Sequence, residues 1–467
     1  MSPDPERRVA VVLFTADLRV HDHPPLHTAV RRADAVVPLF VRDSGVRAAG
    51  FDAPNRAAFL ARALESLDEE LRARGGRLVV REGAVAEQVR AVVEEVGAQE
   101  VHLAADVSGY AARREEALRT ALEGTGAALH VHDAVCTVLP PGEVTPTGKD
   151  HFAVFTPYFR RWSGSSHRSV LAAPRRVEVP RVASAALPPR EVAGVSPQLE
   201  PGGEREGRER VRRWLARSAS GVDAYEERHD DLPGDATSRL SPYLHFGCLS
   251  PVELADRAQR HGGVGAEAFV RQLAWRDFHH QVLAARPAAA HADYRPRGDR
   301  WRSGAAAERD AQSWREGRTG YPVVDAAMRQ LSAEGWMHNR ARLLAASFLT
   351  KTLYLDWRVG AAHFLELLVD GDVANNQLNW QWVAGTGTDT RPNRVLNPLA
   401  QARRFDPEGA YVRLWVPELA GVAGRAVHEP WKLPPERRAE LDYPEPLVEL
   451  GAGADRMRRA RGLDRPG

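Results

Sequence analysis

The sequence has only two cysteines, Cys136 and Cys248, in 467 residues. That excludes a disulfide framework and a cysteine-ligated metal centre, and no metal site is expected. No run of about 18 apolar residues is present, so no membrane-spanning helix is expected. The opening stretch lacks the ordered basic, apolar and small-residue regions of a secretory signal, and a cytoplasmic protein is expected. Lysine is nearly absent, with only Lys149, Lys351 and Lys432 among 64 basic residues; the arginine excess reads as coding composition. Charge of either sign is also lacking in surplus. At a formal net charge of +2, any contact with nucleic acid must come from a local patch rather than from a basic chain. No G-x-G-x-x-G follows the first strand-like run, and no P-loop, H-E-x-x-H or G-x-S-x-G occurs, which leaves ordinary nicotinamide binding without support.

Tryptophan, by contrast, is plentiful: of 11, nine lie between Trp275 and Trp431. The length, with 43% hydrophobic and 27% charged residues, fits a globular chain of two or three domains. Up to residue 135 short apolar runs alternate with amphipathic stretches. Val9–Phe14, Ala35–Val41, Arg77–Arg81, Val101–Ala105 and Ala128–His132 have the Val/Leu character of strands buried on both faces. Arg56–Arg74 and Val85–Val96 have helical spacing between them. The pattern predicts an α/β domain over 7–135, a doubly wound parallel sheet. Residues 136–208, proline-rich from Pro174 to Pro201, read as an interdomain linker. Helical periodicity then predicts a larger all-α domain over 209–445, and 446–467 reads as a flexible tail.

Three segments of the helical half carry candidate chemistry. In Gly234–Pro251, Thr237, Ser238 and Ser241 crowd hydroxyls and backbone N–H groups ahead of a helix. Such a turn suits phosphate oxygens, and equally an ordinary helix cap. In Thr319–Gly360, Asn339, Arg340 and Arg342 open an apolar helix; arginines there need acidic partners or an anion, because an unpaired buried charge is costly. In Leu368–Pro398, Asp370 and Asp372 suit pairing with those arginines or a polar ligand, and Asn375, Asn376 and Asn379 supply amides. Trp380 and Trp382, two apart, must point in different directions from a helix. Together these features point to an aromatic cofactor in a helical domain.

Phe14–Leu26 (FTADLRVHDHPPL), TSRLSPYLHFGCLSP, WRDFHH, GRTGYPVVDAAMRQL, GWMHNRAR, DWR, DGDVANN, NWQW and FDPEGAYVRLWVPEL follow in order between Val9 and Leu433. This series resembles the DNA photolyase and cryptochrome family, with a departure at Thr15 and Ala16, where a basic residue is usual. The resemblance implies an α/β domain followed by a helical domain holding FAD. It implies FAD contacts from Tyr225, Thr237, Ser238, Arg239, Leu240, Ser241, Arg342, Asp370, Gly371, Asp372 and Asn376. Arg342 would pair with Asp370, and Asn376 would face flavin N5. Trp380, Trp357 and Trp301 match the tryptophans that carry electrons to oxidised flavin, Trp301 on the assumption of an insertion in SGAAAERD. An antenna chromophore is implied as well. Asp106–Glu115 (DVSGYAARRE) resembles the branch that carries an 8-hydroxy-5-deazaflavin rather than methenyltetrahydrofolate.

Within the family, the residues imply a carbon–carbon lyase acting on UV-damaged DNA. It would split cyclobutane pyrimidine dimers by electron transfer from photoexcited reduced FAD to a flipped-out dimer. Trp275 and Trp382 match the indoles that wall the dimer, and Asn339, Arg340 and Leu343 match residues against the DNA. Gln272 replaces the usual glutamate, which implies reduced repair. His229 stands at the register of a DNA-contacting arginine and leaves Arg228 as a substitute. Repair of the (6-4) photoproduct, the rival lesion, uses histidines where this chain has Asn339 and Leu343, and His338 would lie on another helix face. A cryptochrome-type blue-light receptor is the alternative from another class, and the short stretch after Leu433 favours the enzyme. A flavin-binding protein without a DNA role is opposed by Trp275, Trp382, Asn339 and Arg340. A monomer that binds DNA more weakly as salt rises is implied.

Overall fold

The computed structural model describes residues 7–48, 51–216, 218 and 221–463. Five strands, β1 (Val9–Phe14), β2 (Ala35–Asp43), β3 (Val79–Gly83), β4 (Glu100–Ala104) and β5 (Ala128–His132), form a parallel sheet in the order β3-β2-β1-β4-β5. The central register sets Val11 opposite Val37 on one side and Val101 on the other. Every residue of β1 is buried, because helices cover both faces of a parallel sheet. The Val85–Val96 helix shows how: Val85, Val89, Val92 and Val93 form its buried stripe, and Gly97 ends it in the left-handed conformation. The strands and the two clearest helices lie within a few residues of their sequence-predicted bounds.

By internal packing the chain divides into two units. The first runs up to Val195 and takes in Glu200–Glu226 and Ser238–Pro287; the second comprises Ser196–Leu199, Glu227–Thr237 and the chain from Ala288 onward. The boundary expected near residue 209 is therefore not where packing changes. Much of the early helical sequence, including the Val264–Ala285 helix, belongs with the sheet. Its attachment explains the polar segment after β1. Arg19 is buried and donates to the backbone carbonyls of His21, Asp22, Val135 and Gly247, which satisfy its guanidinium. Asp17, also buried, bonds His23 at 2.8 Å. Gly247 has φ 63°, and a Cβ there would stand 2.0 Å from Ala16 O.

The expected linker is more structured than its prolines suggest. Phe155–Ser163 is a helix whose buried Phe155, Tyr158 and Trp162 recur at helical spacing. Beyond it, Val36 N donates to Glu178 O at 2.8 Å and Ala185 N to Val80 O at 2.8 Å, binding the proline-rich stretch to the sheet. The second unit has its own apolar core, in which Trp314, Trp357, Phe364, Trp380 and Tyr411 are among the large members. The described part of the segment expected to be a flexible tail is packed, and residues 464–467 lie outside the described residues. Leu450–Ala460 is a helix burying Gly453 and Met457, and the Arg461 side chain is 2% exposed. One small and one apolar residue four apart make a stripe that the charged composition hides. Among the described residues, no helix is long and apolar enough to cross a membrane.

Candidate functional site

In the second unit, the Asn339–Ser347 helix opens with His338, whose Nδ1 accepts from Arg340 N at 3.1 Å. Asn339 is exposed and Leu343, four residues on, is half-buried on the same face. Arg342 turns elsewhere. Its Nη2 lies 2.8 Å from Asp370 Oδ2 and its Nε donates to Met337 O at 2.8 Å. The Asp370 side chain is 3% exposed, so without Arg342 a nearly buried carboxylate would lose its ion pair. Arg340 is also engaged: Nε donates to Asp230 Oδ1 at 3.1 Å, a second bond joins the same carboxylate, and the guanidinium lies 4.4 Å from the Phe405 ring centre. Arg228 pairs with Asp231 at 2.9 Å.

Gly371 is buried beside the next helix, Val373–Ala384, which Asp372 caps by accepting from Asn375 N at 2.7 Å. This helix presents two different surfaces. Asn375, Asn379 and Trp382 recur on one side, where Asn379 Nδ2 donates to Asn375 O at 2.8 Å. The Arg394 guanidinium lies 4.9 Å from the Trp382 ring centre. Asn376 and Trp380 share the buried side. Asn376 Nδ2 donates to Ala361 O and to Gln377 Oε1, both at 3.1 Å, so both amide hydrogens are used and Oδ1 remains as acceptor. Trp380 is 2% exposed, edge-on to Phe364 at 4.9 Å and to Trp314 at 6.0 Å between centroids.

Trp357 is fully buried, and its Nε1 donates to Asp293 at 2.9 Å. Trp301 is half-buried against the same apolar cluster, its ring centre 4.9 Å from that of Tyr354. Sequence reasoning missed Asp293, Asp230 and Tyr354 altogether. The only available signal for Tyr354 was its place in the run preceding DWR.

The remaining predicted residues belong to the first unit, except Thr237. Tyr225 packs edge-on to Trp214 at 5.4 Å and Phe269 at 6.2 Å. Arg239 has φ 48°, a left-handed conformation uncommon outside glycine. Leu240 is buried next to it, and Ser241 begins a five-residue helix. Ser238 Oγ accepts from Leu240 N only at 3.4 Å. On the Val264–Ala285 helix, Gln272 is exposed and Trp275, three residues on, is half-buried. Phe155 lies flat against Trp275, 3.7 Å between centroids at 6°, which covers one indole face. Asp277 anchors this helix by accepting from Leu139 N at 3.0 Å and Trp162 Nε1 at 2.9 Å; burial pushes its carboxyl up from the usual range.

Three observations suit a flavin dinucleotide. The Thr237 hydroxyl is buried without a hydrogen-bond partner, and a phosphate or ribitol oxygen would satisfy it. Asn376 keeps an acceptor oxygen for a ring N–H. The Arg342–Asp370 pair supplies a fixed ion pair six residues before Asn376.

Comparison with known proteins agrees with these features. A family model described as the FAD binding domain of DNA photolyase matches residues 269–461, and one described as DNA photolyase matches 10–179. A Streptomyces griseus protein named deoxyribodipyrimidine photo-lyase is 66% identical over 460 residues, covering 98% of this chain and 100% of that protein. A crystal structure of a bacterial class III photolyase from Agrobacterium tumefaciens is similar with a TM-score of 0.89 and 29% identity, over 99% of both chains. The Synechocystis sp. PCC6803 cryptochrome structure is similar with a TM-score of 0.88 and 28% identity, over 98% of this chain and 100% of that one.

Proposed function

The chain belongs to the DNA photolyase family, and on that premise we propose that it is a light-dependent DNA-repair lyase that splits cyclobutane pyrimidine dimers. FAD, when bound, supplies the photoexcited electron donor; the chain's own residues bind, orient and insulate. Arg342, Asp370, Gly371, Asp372, Asn376 and Thr237, with Tyr225 and the Ser238–Ser241 turn, hold the cofactor. Asn376 accepts through Oδ1, and Trp380, Trp357 and Trp301 deliver electrons that restore the reduced cofactor.

The Val373–Ala384 helix is the observation that carries the reading. It buries Asn376 and Trp380 on one side and presents Trp382 on another, so one rigid element serves both cofactor and lesion. Trp382 and Trp275 offer flat surfaces to flipped-out pyrimidines, worth about 1–3 kcal/mol per stacked base. Gln272 donates to a thymine carbonyl, Asn339 and Leu343 line the approach, and Arg340 and Arg228 position the phosphates. His338 is occupied as a helix cap, which favours the cyclobutane dimer over the (6-4) photoproduct. The antenna we assign to the 8-hydroxy-5-deazaflavin class, on the likeness of Asp106–Glu115; its absorption after extraction from the protein distinguishes it from a folate.

The similarity to a cryptochrome structure keeps blue-light reception as the second reading. One experiment separates them. Reduced, flavin-loaded protein is illuminated with a dimer-containing oligonucleotide, and restored thymine is counted. Restoration is expected with the cyclobutane dimer and none with a (6-4) substrate; tight flavin binding without restoration would favour the receptor.

A further inference from the structure

The Leu450–Ala460 helix is followed by Arg461, whose side chain is 2% exposed. A guanidinium carries five N–H donors, and here every one has an acceptor. Nε donates to Asp299 Oδ1 and Nη2 to Asp299 Oδ2, each at 2.9 Å. Nη2 also donates to Ala384 O at 2.8 Å, while Nη1 donates to Pro392 O at 3.0 Å and to Asn393 Oδ1 at 3.2 Å. Lys351, fully buried, doubles the tie. Its Nζ donates to the same two carbonyls, Ala384 O at 2.7 Å and Pro392 O at 2.5 Å.

These acceptors stand at one place in the fold. Ala384 is the last residue of the Val373–Ala384 helix, two beyond Trp382, and Pro392 and Asn393 immediately precede Arg394. The stretch 385–391 is therefore a loop closed at its foot by two buried basic side chains. Arg394 leaves that foot with its guanidinium 4.9 Å from the Trp382 ring centre, a cation resting on an indole face. A helix leaves its last carbonyls without intrahelical donors, and Arg461 and Lys351 supply them at Ala384. Drawing two long polar side chains out of water is unfavourable unless their donors are satisfied and a carboxylate accompanies them, as Asp299 does here. What the arrangement fixes is the distance between the end of the Trp382 helix and the start of the Arg394 segment.

We propose that Arg461 is a positioning residue for lesion binding. With Lys351 it fixes the foot of the 385–391 loop, and through that foot it sets Trp382 and Arg394 in the arrangement that receives a flipped-out pyrimidine. The inference rests on the reading of Trp382 as a lesion surface given above. It assigns the Leu450–Ala460 helix, about 70 residues beyond Trp382 in sequence, a part in telling damaged from undamaged DNA.

The test compares the flavin-loaded parent with a paired variant, Asp299→Asn with Arg461→Gln, which removes both charges together so that neither is stranded in the interior. Dissociation constants are measured in the dark for a duplex carrying one cyclobutane dimer and for the same duplex undamaged. Dimer binding is expected to weaken about tenfold and undamaged binding to change less than about twofold, with flavin content equal to the parent's. Trp382→Ala is then made in both backgrounds. Because Arg461 acts through the placing of Trp382, the paired change is expected to weaken dimer binding by less than about threefold once the indole is gone. Arg461→Lys keeps the charge but gathers its donors on one atom, and it is expected to fall between parent and paired variant. The same comparisons are made with Arg461→Lys alone if the paired variant loses flavin. Unchanged dimer binding, equal weakening on both duplexes, or the full loss without Trp382 would overturn the role of Arg461. A parent that binds the dimer duplex no more tightly than the undamaged one would overturn the lesion reading itself.

Discussion

Trp380 is held on every side that the packing allows. Phe364 and Trp314 meet it edge-on, and a neighbouring glycine admits its outer ring. Such confinement suits the electron carrier proposed above, and it makes Trp380→Phe an informative change. The smaller ring leaves a cavity costing about 1–3 kcal/mol, well inside what a folded domain tolerates. Photoreduction of the bound oxidised flavin is expected to fall to background, while repair by chemically reduced protein continues; persistent photoreduction would contradict the assignment. Gln272 raises a second question. A carboxylate here would accept from a thymine N–H where the amide donates to a carbonyl; a bond with a charged partner contributes about 1.5–3 kcal/mol and a neutral one about 0.5–1.5, so Gln272→Glu is expected to raise the repair rate about fivefold. A fall in single-turnover repair would mean that the amide already serves this lesion.

The Trp357–Leu367 and Val373–Ala384 helices approach closely because Gly360 has no side chain. A Cβ at this position would stand 2.1 Å from Cη2 of Trp380, a rigid ring that cannot yield. Two effects oppose each other in Gly360→Ala. Alanine gains about 1 kcal/mol of helix propensity, whereas overpacking a filled core costs about 1–3 kcal/mol. The clash wins, because the indole has nowhere to retreat between Phe364 and Trp314. A lower Tm and slower photoreduction are expected together; unchanged values would mean that the helices separate easily. These periodic elements were largely legible in the sequence. Asn376 with Trp380 and Asn375 with Trp382 fall on separate sides simply by spacing. The Phe155–Ser163 helix was not seen, since a proline-rich stretch follows it and its aromatic repeat is short.

Both units carry histidines that folding keeps neutral. Burial first, then His102 and His23, depresses His132 to about 4; burial first, then Arg315, depresses His363 to about 4. The unfolded chain therefore binds more protons than the folded one between these values and the ordinary histidine value of about 6.5. Stability from these groups is complete above that value and is lost as pH falls towards 4. Thermal melts across this window are expected to show a falling Tm, and His363→Gln is expected to flatten part of the slope. An equal slope in the variant would mean that other groups dominate acid unfolding.

The sequence by itself determined the parallel sheet, the helical second half and the order of the motifs, because apolar periodicity and short motifs are local along the chain. It also called for an acidic partner or anion for the arginines of the Asn339–Ser347 helix, and the family resemblance singled out Arg342 with Asp370. Packing decided the rest. The opening segment's buried Arg19 finds backbone carbonyls at His21, Asp22, Val135 and Gly247, and no local pattern announces that. The Gly453 and Met457 stripe buries a tail that composition reads as solvated. Trp301 acquires Tyr354, Asp299 and Arg461 from stretches far apart in sequence. The tryptophan cluster was visible as a count, but each indole's role depends on the ring, carboxylate or cation set beside it. Only the folded chain brings those partners together.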